Sequence, residues 1–162
     1  MIKIDSKIKT ISEAKIWRAQ LEKNNQKLAF TNGCFDILHR GHVEYLYNAR
    51  LQGDKLVIAL NSDVSVQSLK GPGRPINSEY DRALIIASLF FVDAVVIFNN
   101  TRCNKIISEL SPDIYVKGGD YNVDNIDESE KKALLEAGSK MAFISLTEGY
   151  STTSVIKKAK IN

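Results

Sequence analysis

Five short apolar runs, each followed by a stretch with helical spacing, constrain this chain more than any other feature. The runs occupy residues 27–31, 55–60, 93–98, 114–116 and 141–144. Near-continuous apolar strands that alternate with helices predict a parallel sheet covered on both faces. The expected fold is α/β: a Rossmann-like open parallel sheet of about five strands with helices on both faces. Residues 1–26 read as an N-terminal arm and one helix, and residues 27–162 as the main domain. In the first helix Ser12 is the expected N-cap, with Ile16, Trp17 and Leu21 near one face. That element either caps an edge of the sheet or contacts a second subunit. Ser78, with Asp81 three residues on, and Ser151 are expected to open two later helices.

The 162 residues suffice for one core without disulfides. A formal net charge of +3 suits an anionic small molecule and is too small to argue for nucleic acid. The two cysteines, Cys34 and Cys103, make no disulfide framework. No apolar run approaches transmembrane length, and the first residues carry no apolar signal core. The cytoplasm, with no membrane partner, is the expected location.

Open parallel sheets bind ligands beyond the carboxyl ends of their strands. The chemically unusual residues fall there: Thr31 to His42 after the first strand, Asn61 to Asp63 after the second, Lys117 to Asp120 after the fourth. Both histidines sit in the tetrapeptide His39-Arg40-Gly41-His42, at the start of a predicted helix. A helix start presents free N–H groups and partial positive charge, which attract phosphate. Gly41 lets backbone or phosphate approach closely because it lacks a Cβ. Two imidazoles there can donate to phosphate oxygens, most usefully where charge grows in a transition state.

Other readings compete. The histidines are alternatively surface or core residues with satisfied hydrogen bonds. Cys34, His39 and His42 have spacing that permits zinc, but no fourth ligand is evident. Cys34 as a nucleophile has only Asp36 to orient its base. Neither G-x-G-x-x-G nor G-x-x-x-x-G-K-[ST] is present, which disfavours a dehydrogenase or a P-loop ATPase.

The string from Thr31 through Asn32, Gly33, Cys34, Phe35, Asp36, Ile37, Leu38, His39, Arg40 and Gly41 to His42 resembles the signature of the cytidylyltransferase-like nucleotidylyltransferases. Further stretches look like the adenylyltransferases of ADP-heptose synthesis within that family. They are Asn61-Ser62-Asp63, Lys70-Gly71-Pro72-Gly73-Arg74-Pro75, Asp81-Arg82, Val116-Lys117-Gly118-Gly119-Asp120-Tyr121 and Gly149-Tyr150-Ser151-Thr152-Thr153. The resemblance covers about residues 27–160. It implies transfer of AMP from ATP to D-glycero-β-D-manno-heptose 1-phosphate, giving ADP-heptose and pyrophosphate, with Mg²⁺ accompanying the triphosphate. It also implies a homodimer.

By the same likeness His39, His42 and Lys70 carry catalysis. Thr31, Asn32, Gly33, Cys34, Phe35, Gly41, Lys117, Gly118, Asp120, Ser151, Thr152 and Thr153 bind nucleotide and phosphate. Asp36, Asn61, Asp63, Arg74 and Arg82 serve the second substrate, with no metal ligand assigned. Asp36 is expected to brace its loop, with metal binding as its alternative, and Arg82 either to meet an anion or to pair with Asp81 or Glu79. The 70–75 loop either closes over anions or is solvated. Related glycerol-3-phosphate cytidylyltransferases carry R-T-x-G-I-S-T-T, where this chain has Leu146 in place of the arginine. That departure counts against that substrate pair. A transferase for another phosphorylated alcohol or sugar, and a nucleotide-binding module without catalysis, are the alternatives.

Overall fold

The computed structural model describes residues 3–119, 121–145, 147 and 149–159. Five strands, β1 (Leu28–Gly33), β2 (Lys55–Asn61), β3 (Ala94–Phe98), β4 (Ile114–Gly118) and β5 (Lys140–Ile144), form one sheet in the order β3-β2-β1-β4-β5. Every pairing is parallel. Chain order reverses between β1 and β4, so the crevice of a doubly wound fold opens at their carboxyl ends. The helices are α1 (Ile11–Lys23), α2 (Arg40–Arg50), α3 (Asp63–Lys70), α4 (Glu79–Ala87), α5 (Asn104–Leu110), α6 (Glu128–Glu136) and α7 (Thr152–Ala159). Among the described residues no helix is long and apolar enough to cross a membrane.

Alternation along each strand sorts side chains onto two faces, and both are buried. Leu28, Phe30, Val57, Ala59, Val96 and Tyr115 join Leu21, Ile107, Leu110 and Leu134 beneath α1, α5 and α6. Ala29, Leu56, Ile58, Leu60, Val95 and Val116 join Tyr45, Leu46, Ala83 and Ile86 beneath α2 and α4. This accounts for strands that read as unbroken apolar runs rather than as alternating ones.

The N-terminal reading needs correction in two places. Thr10, not Ser12, caps α1: its side chain accepts from the Glu13 N–H while the Glu13 carboxylate accepts from the Thr10 N–H. This pair satisfies two otherwise free donors reciprocally. Ile16 is 64% exposed, and the buried face is Ala14, Arg18 and Leu21. The arm before α1 covers the free edge of β3, where Ile8 bridges Val95 in parallel and the Lys9 N–H donates to the Val95 carbonyl at 2.9 Å. Pairing of this kind shields backbone groups that an open edge would expose.

Several boundaries move towards the site. Asn32 and Gly33 are the last residues of β1, and Lys117 and Gly118 the last of β4, rather than loop residues. Lys70 ends α3, and Asp63 begins it behind the Ser62 cap.

Candidate active site

His39 and His42 meet through the geometry of one helix start. His39 is the N-cap of α2, and its Nδ1 accepts from the His42 N–H at 3.4 Å. A neutral ring that accepts at Nδ1 carries its proton on Nε2, so His39 keeps one donor to offer a ligand. The two rings stack with centroids 3.7 Å apart and planes inclined by 18°. Phe35 meets His42 edge-on at 5.2 Å. Phe35 itself adopts a φ of 42°, and its ring fills the space above Gly33. A Cβ on Gly33 would lie 2.8 Å from the Phe35 ring, so glycine there lets the loop fold back onto the strand.

Gly41 answers a similar demand. A Cβ there would lie 3.1 Å from Tyr150 Cβ and 3.3 Å from the His39 ring. The segment ahead of α7 is thereby pressed against the first turn of α2. Arg40 fastens it, pairing with Glu44 at 2.6 Å and donating to the Tyr150 hydroxyl at 3.2 Å, while Thr147 donates to Glu44. Ser151 caps α7, accepting from the Ser154 N–H at 3.1 Å.

Two adjoining hollows share His42 and Thr152. The first, of about 270 Å³, is lined by Asn32, Gly33, Cys34, Phe35, Lys70, Lys117 and Gly118, together with Tyr45 and Tyr121. The second, of about 210 Å³, adds His39, Gly41, Thr147, Tyr150 and Ser151. A continuous crevice therefore runs from the ends of β1 and β4 across the imidazole pair to the head of α7. Lys70 and Lys117 give it positive charge. A larger hollow of about 520 Å³ lies at the opposite, amino ends of β1, β4 and β5. Its cations are Arg18, Lys27 and Lys140, the first two paired with Asp113 at 3.0 Å. What sets the first crevice apart is the stacked imidazole pair, beside Lys70, for which no ion pair exists among the described residues.

The remaining residues singled out from sequence lie elsewhere. Thr31 is fully buried, its hydroxyl 2.6 Å from the Tyr45 hydroxyl, which donates to the Val116 carbonyl. Asn61 is buried and donates to Ser65. Asp36 is 1% exposed; its carboxylate accepts from Arg74 and from the N–H groups of Ile76 and Asn77. Asp36 thus braces the 74–77 segment, and hydrogen bonds and the Arg74 charge hold its carboxyl below the usual range against the opposing effect of burial. Arg82 is neither a surface cation nor a partner of Asp81 or Glu79. It is 1% exposed and donates to the Asn77 and Cys34 carbonyls and to Asp63. Asp63 and Arg74 line a separate depression of about 360 Å³. Thr153 is exposed beyond the crevice, and Asp120 lies outside the described residues. Sequence reasoning passed over Tyr45, Tyr121, Tyr150 and Glu130. The two later tyrosines sit inside quoted motifs, whereas nothing in the charged run around Glu130 marks it.

Burial drives the His42 pKa down to about 4, helped by His39 and Lys70 and opposed in part by the Ile37 carbonyl. Burial lowers His39 as well. Both rings are neutral near neutral pH. The folded pKa of His42 lies below its unfolded value of 6.5, so the unfolded chain binds more protons between those values and stability falls as pH drops through that window. Between about pH 7 and pH 4 the wild-type chain should lose up to about 3 kcal/mol relative to His42→Asn. Urea unfolding of both proteins across that range measures it, and parallel pH profiles would contradict it.

The sequence pattern of the cytidylyltransferase-like family matches residues 30–158. The chain is 44% identical over 161 residues to the bifunctional protein HldE of Campylobacter jejuni subsp. jejuni, covering 98% of this chain and 32% of that protein. It is 50% identical over 140 residues to the bifunctional protein HldE of Helicobacter pylori, covering 86% and 29%. The chain thus spans about a third of the length of these relatives. Among solved structures, the lipopolysaccharide core biosynthesis protein of Thermoplasma volcanium GSS1 superposes with a TM-score of 0.60 at 28% identity, over 78% of this chain and 99% of that one. Pantoate-β-alanine ligase of Francisella tularensis shares the fold, with a TM-score of 0.56 at 14% identity, over 95% of this chain and 77% of that one. With the imidazole pair at the head of α2 and the family's pattern running through most of its length, this chain belongs to the cytidylyltransferase-like family.

Proposed function

We propose that the chain transfers AMP from ATP to D-glycero-β-D-manno-heptose 1-phosphate, releasing pyrophosphate. One observation carries this reading: two stacked, neutral imidazoles at a helix start line a crevice that Lys70 and Lys117 make positive. The match of 98% of this chain to about a third of an HldE relative, and the likeness to the Thermoplasma lipopolysaccharide core biosynthesis protein, support the heptose acceptor. The cytoplasm, which supplies ATP and sugar phosphates, goes with the same reading.

The reacting groups need little acid–base help. A sugar 1-phosphate oxygen is already anionic, so attack on the α-phosphorus requires no strong general base. The phosphate oxygen forms its bond to the α-phosphorus as the bond to the bridging oxygen of pyrophosphate breaks. Charge grows on the equatorial oxygens and on the leaving pyrophosphate. His39 and His42 donate to these oxygens, and Lys70 and Lys117 neutralise them. Ser151, Thr152 and the free N–H groups of α7 receive the outer phosphates. Among the described residues no carboxylate lines the crevice. Mg²⁺ accompanying the nucleotide would offset triphosphate charge alongside Lys70 and Lys117.

Pyrophosphate release with ATP or CTP against a set of acceptors tests the reading. ATP with heptose 1-phosphate should give kcat/KM at least about tenfold above CTP, and above glycerol 3-phosphate as acceptor. Preference for CTP would move the chain to another branch of the family. Tight ATP binding with no turnover on any acceptor would remove the catalytic reading.

A further inference from the structure

One buried carboxylate has no part in the chemistry above, yet it reaches the floor of the crevice from behind. Glu130, on α6, is 4% exposed. Its Oε1 accepts from the Cys103 N–H at 3.1 Å and from Cys103 Sγ at 3.3 Å. Its Oε2 accepts from the Tyr115 hydroxyl at 2.9 Å and lies 3.8 Å from Lys117 Nζ. Burial, reinforced by the charge of Glu130, pushes the Cys103 thiol and the Tyr115 phenol upward, so both remain neutral donors.

Lys117 is itself 9% exposed. Its ammonium donates to Asn32 Oδ1 at 2.7 Å and stands 5.3 Å and 5.0 Å from the ring centres of Tyr115 and Tyr121. A charge this far from bulk water needs a compensating partner. Among the described residues, Glu130 is the carboxylate paired with it. An apolar pair of similar volume would serve folding as well or better, because desolvation cancels much of what a buried ion pair gains. The pair makes sense for an ammonium that has to be ready when an anion arrives.

We propose that Glu130 is a positioning residue, whose fixed carboxylate holds the Lys117 ammonium at the nucleotide crevice between Asn32 and the two tyrosine rings. The inference rests on the nucleotide-binding reading of that crevice. Three neutral donors anchor the carboxylate and leave its charge for Lys117. Glu130 touches no ligand and acts through that lysine.

A double-mutant cycle tests it, using the whole chain, calorimetric binding of α,β-methylene ATP, and steady-state kinetics. Glu130→Gln keeps an oxygen for the Cys103 N–H and can still hydrogen-bond Tyr115, but loses the charge. Lys117→Met should weaken binding of the analogue by about tenfold or more. Glu130→Gln should weaken it by about tenfold and raise KM for ATP in step, with kcat within about threefold. In the Lys117→Met background the same change should alter affinity by less than about twofold. Glu130→Asp keeps the charge but retracts it, and serves as a second variant. It should give a smaller loss that also vanishes without Lys117. Additive effects in the cycle, or unchanged affinity in Glu130→Gln beside a weakened Lys117→Met, would overturn the positioning role alone. Full affinity in Lys117→Met would overturn the reading of the crevice, and the proposal with it.

Discussion

His42→Ala is expected to lower kcat by about 10²-fold or more, with KM for ATP changed by no more than about threefold. The split follows from when the imidazole is needed. The ring lines both halves of the crevice, stacked on His39 and held edge-on by Phe35. Its burial keeps it neutral, so it offers a directed hydrogen bond rather than a full charge. A neutral donor gains most from oxygens whose charge increases as the α-phosphorus is attacked. Ground-state binding of the triphosphate is shared among Lys70, Lys117 and the head of α7, and should survive. Steady-state kinetics at saturating acceptor measures this. A rise in KM with kcat preserved would show that His42 only binds.

Arg82→Met is expected to destabilise the chain by about 2 kcal/mol or more. The Arg82 guanidinium donates to the Asn77 carbonyl at 3.0 Å, to the Cys34 carbonyl at 2.6 Å and to Asp63 at 2.8 Å. It thus ties the loop after β1 to the entrance of α4 and the head of α3. Methionine fills the space but leaves the part-buried Asn77 and Cys34 carbonyls without their donor and Asp63 without its cation. Urea unfolding measures the loss. A change within about 1 kcal/mol would show that water or relaxation replaces the guanidinium.

Arg82 also shows where sequence reasoning stops. Residues near a site attract a substrate role, and an arginine in the first turn of a helix looks like an anion ligand because it opposes the helix dipole. Its true partner, Asp63, is 19 positions away on another helix. Asp36 and Arg74 are alike: two groups assigned to substrate from the sequence pair with each other across 38 positions. Thr31 stands at a strand end as expected, but strand pleating turns it inward to Tyr45.

Other features were legible because they are local. Apolar runs between helical stretches gave the parallel sheet. The spacing of His39 and His42, three apart at a helix start, brings their rings onto one face, as it must. Strand ends were misplaced by about two residues because Asn32, Gly33, Lys117 and Gly118 look like turn formers, and pairing with neighbouring strands overrides that preference. Glu130 was invisible: its place beside Lys117 is set by how α6 packs over β4, which no short spacing encodes.

The most direct test of the account is a crystal structure of the chain with α,β-methylene ATP. The triphosphate should lie across the head of α2, with phosphate oxygens within about 3.2 Å of ring nitrogens of both His39 and His42. A nucleotide seated instead in the hollow at the amino ends of β1, β4 and β5, or in the Asp63–Arg74 depression, with both imidazoles untouched, would contradict it.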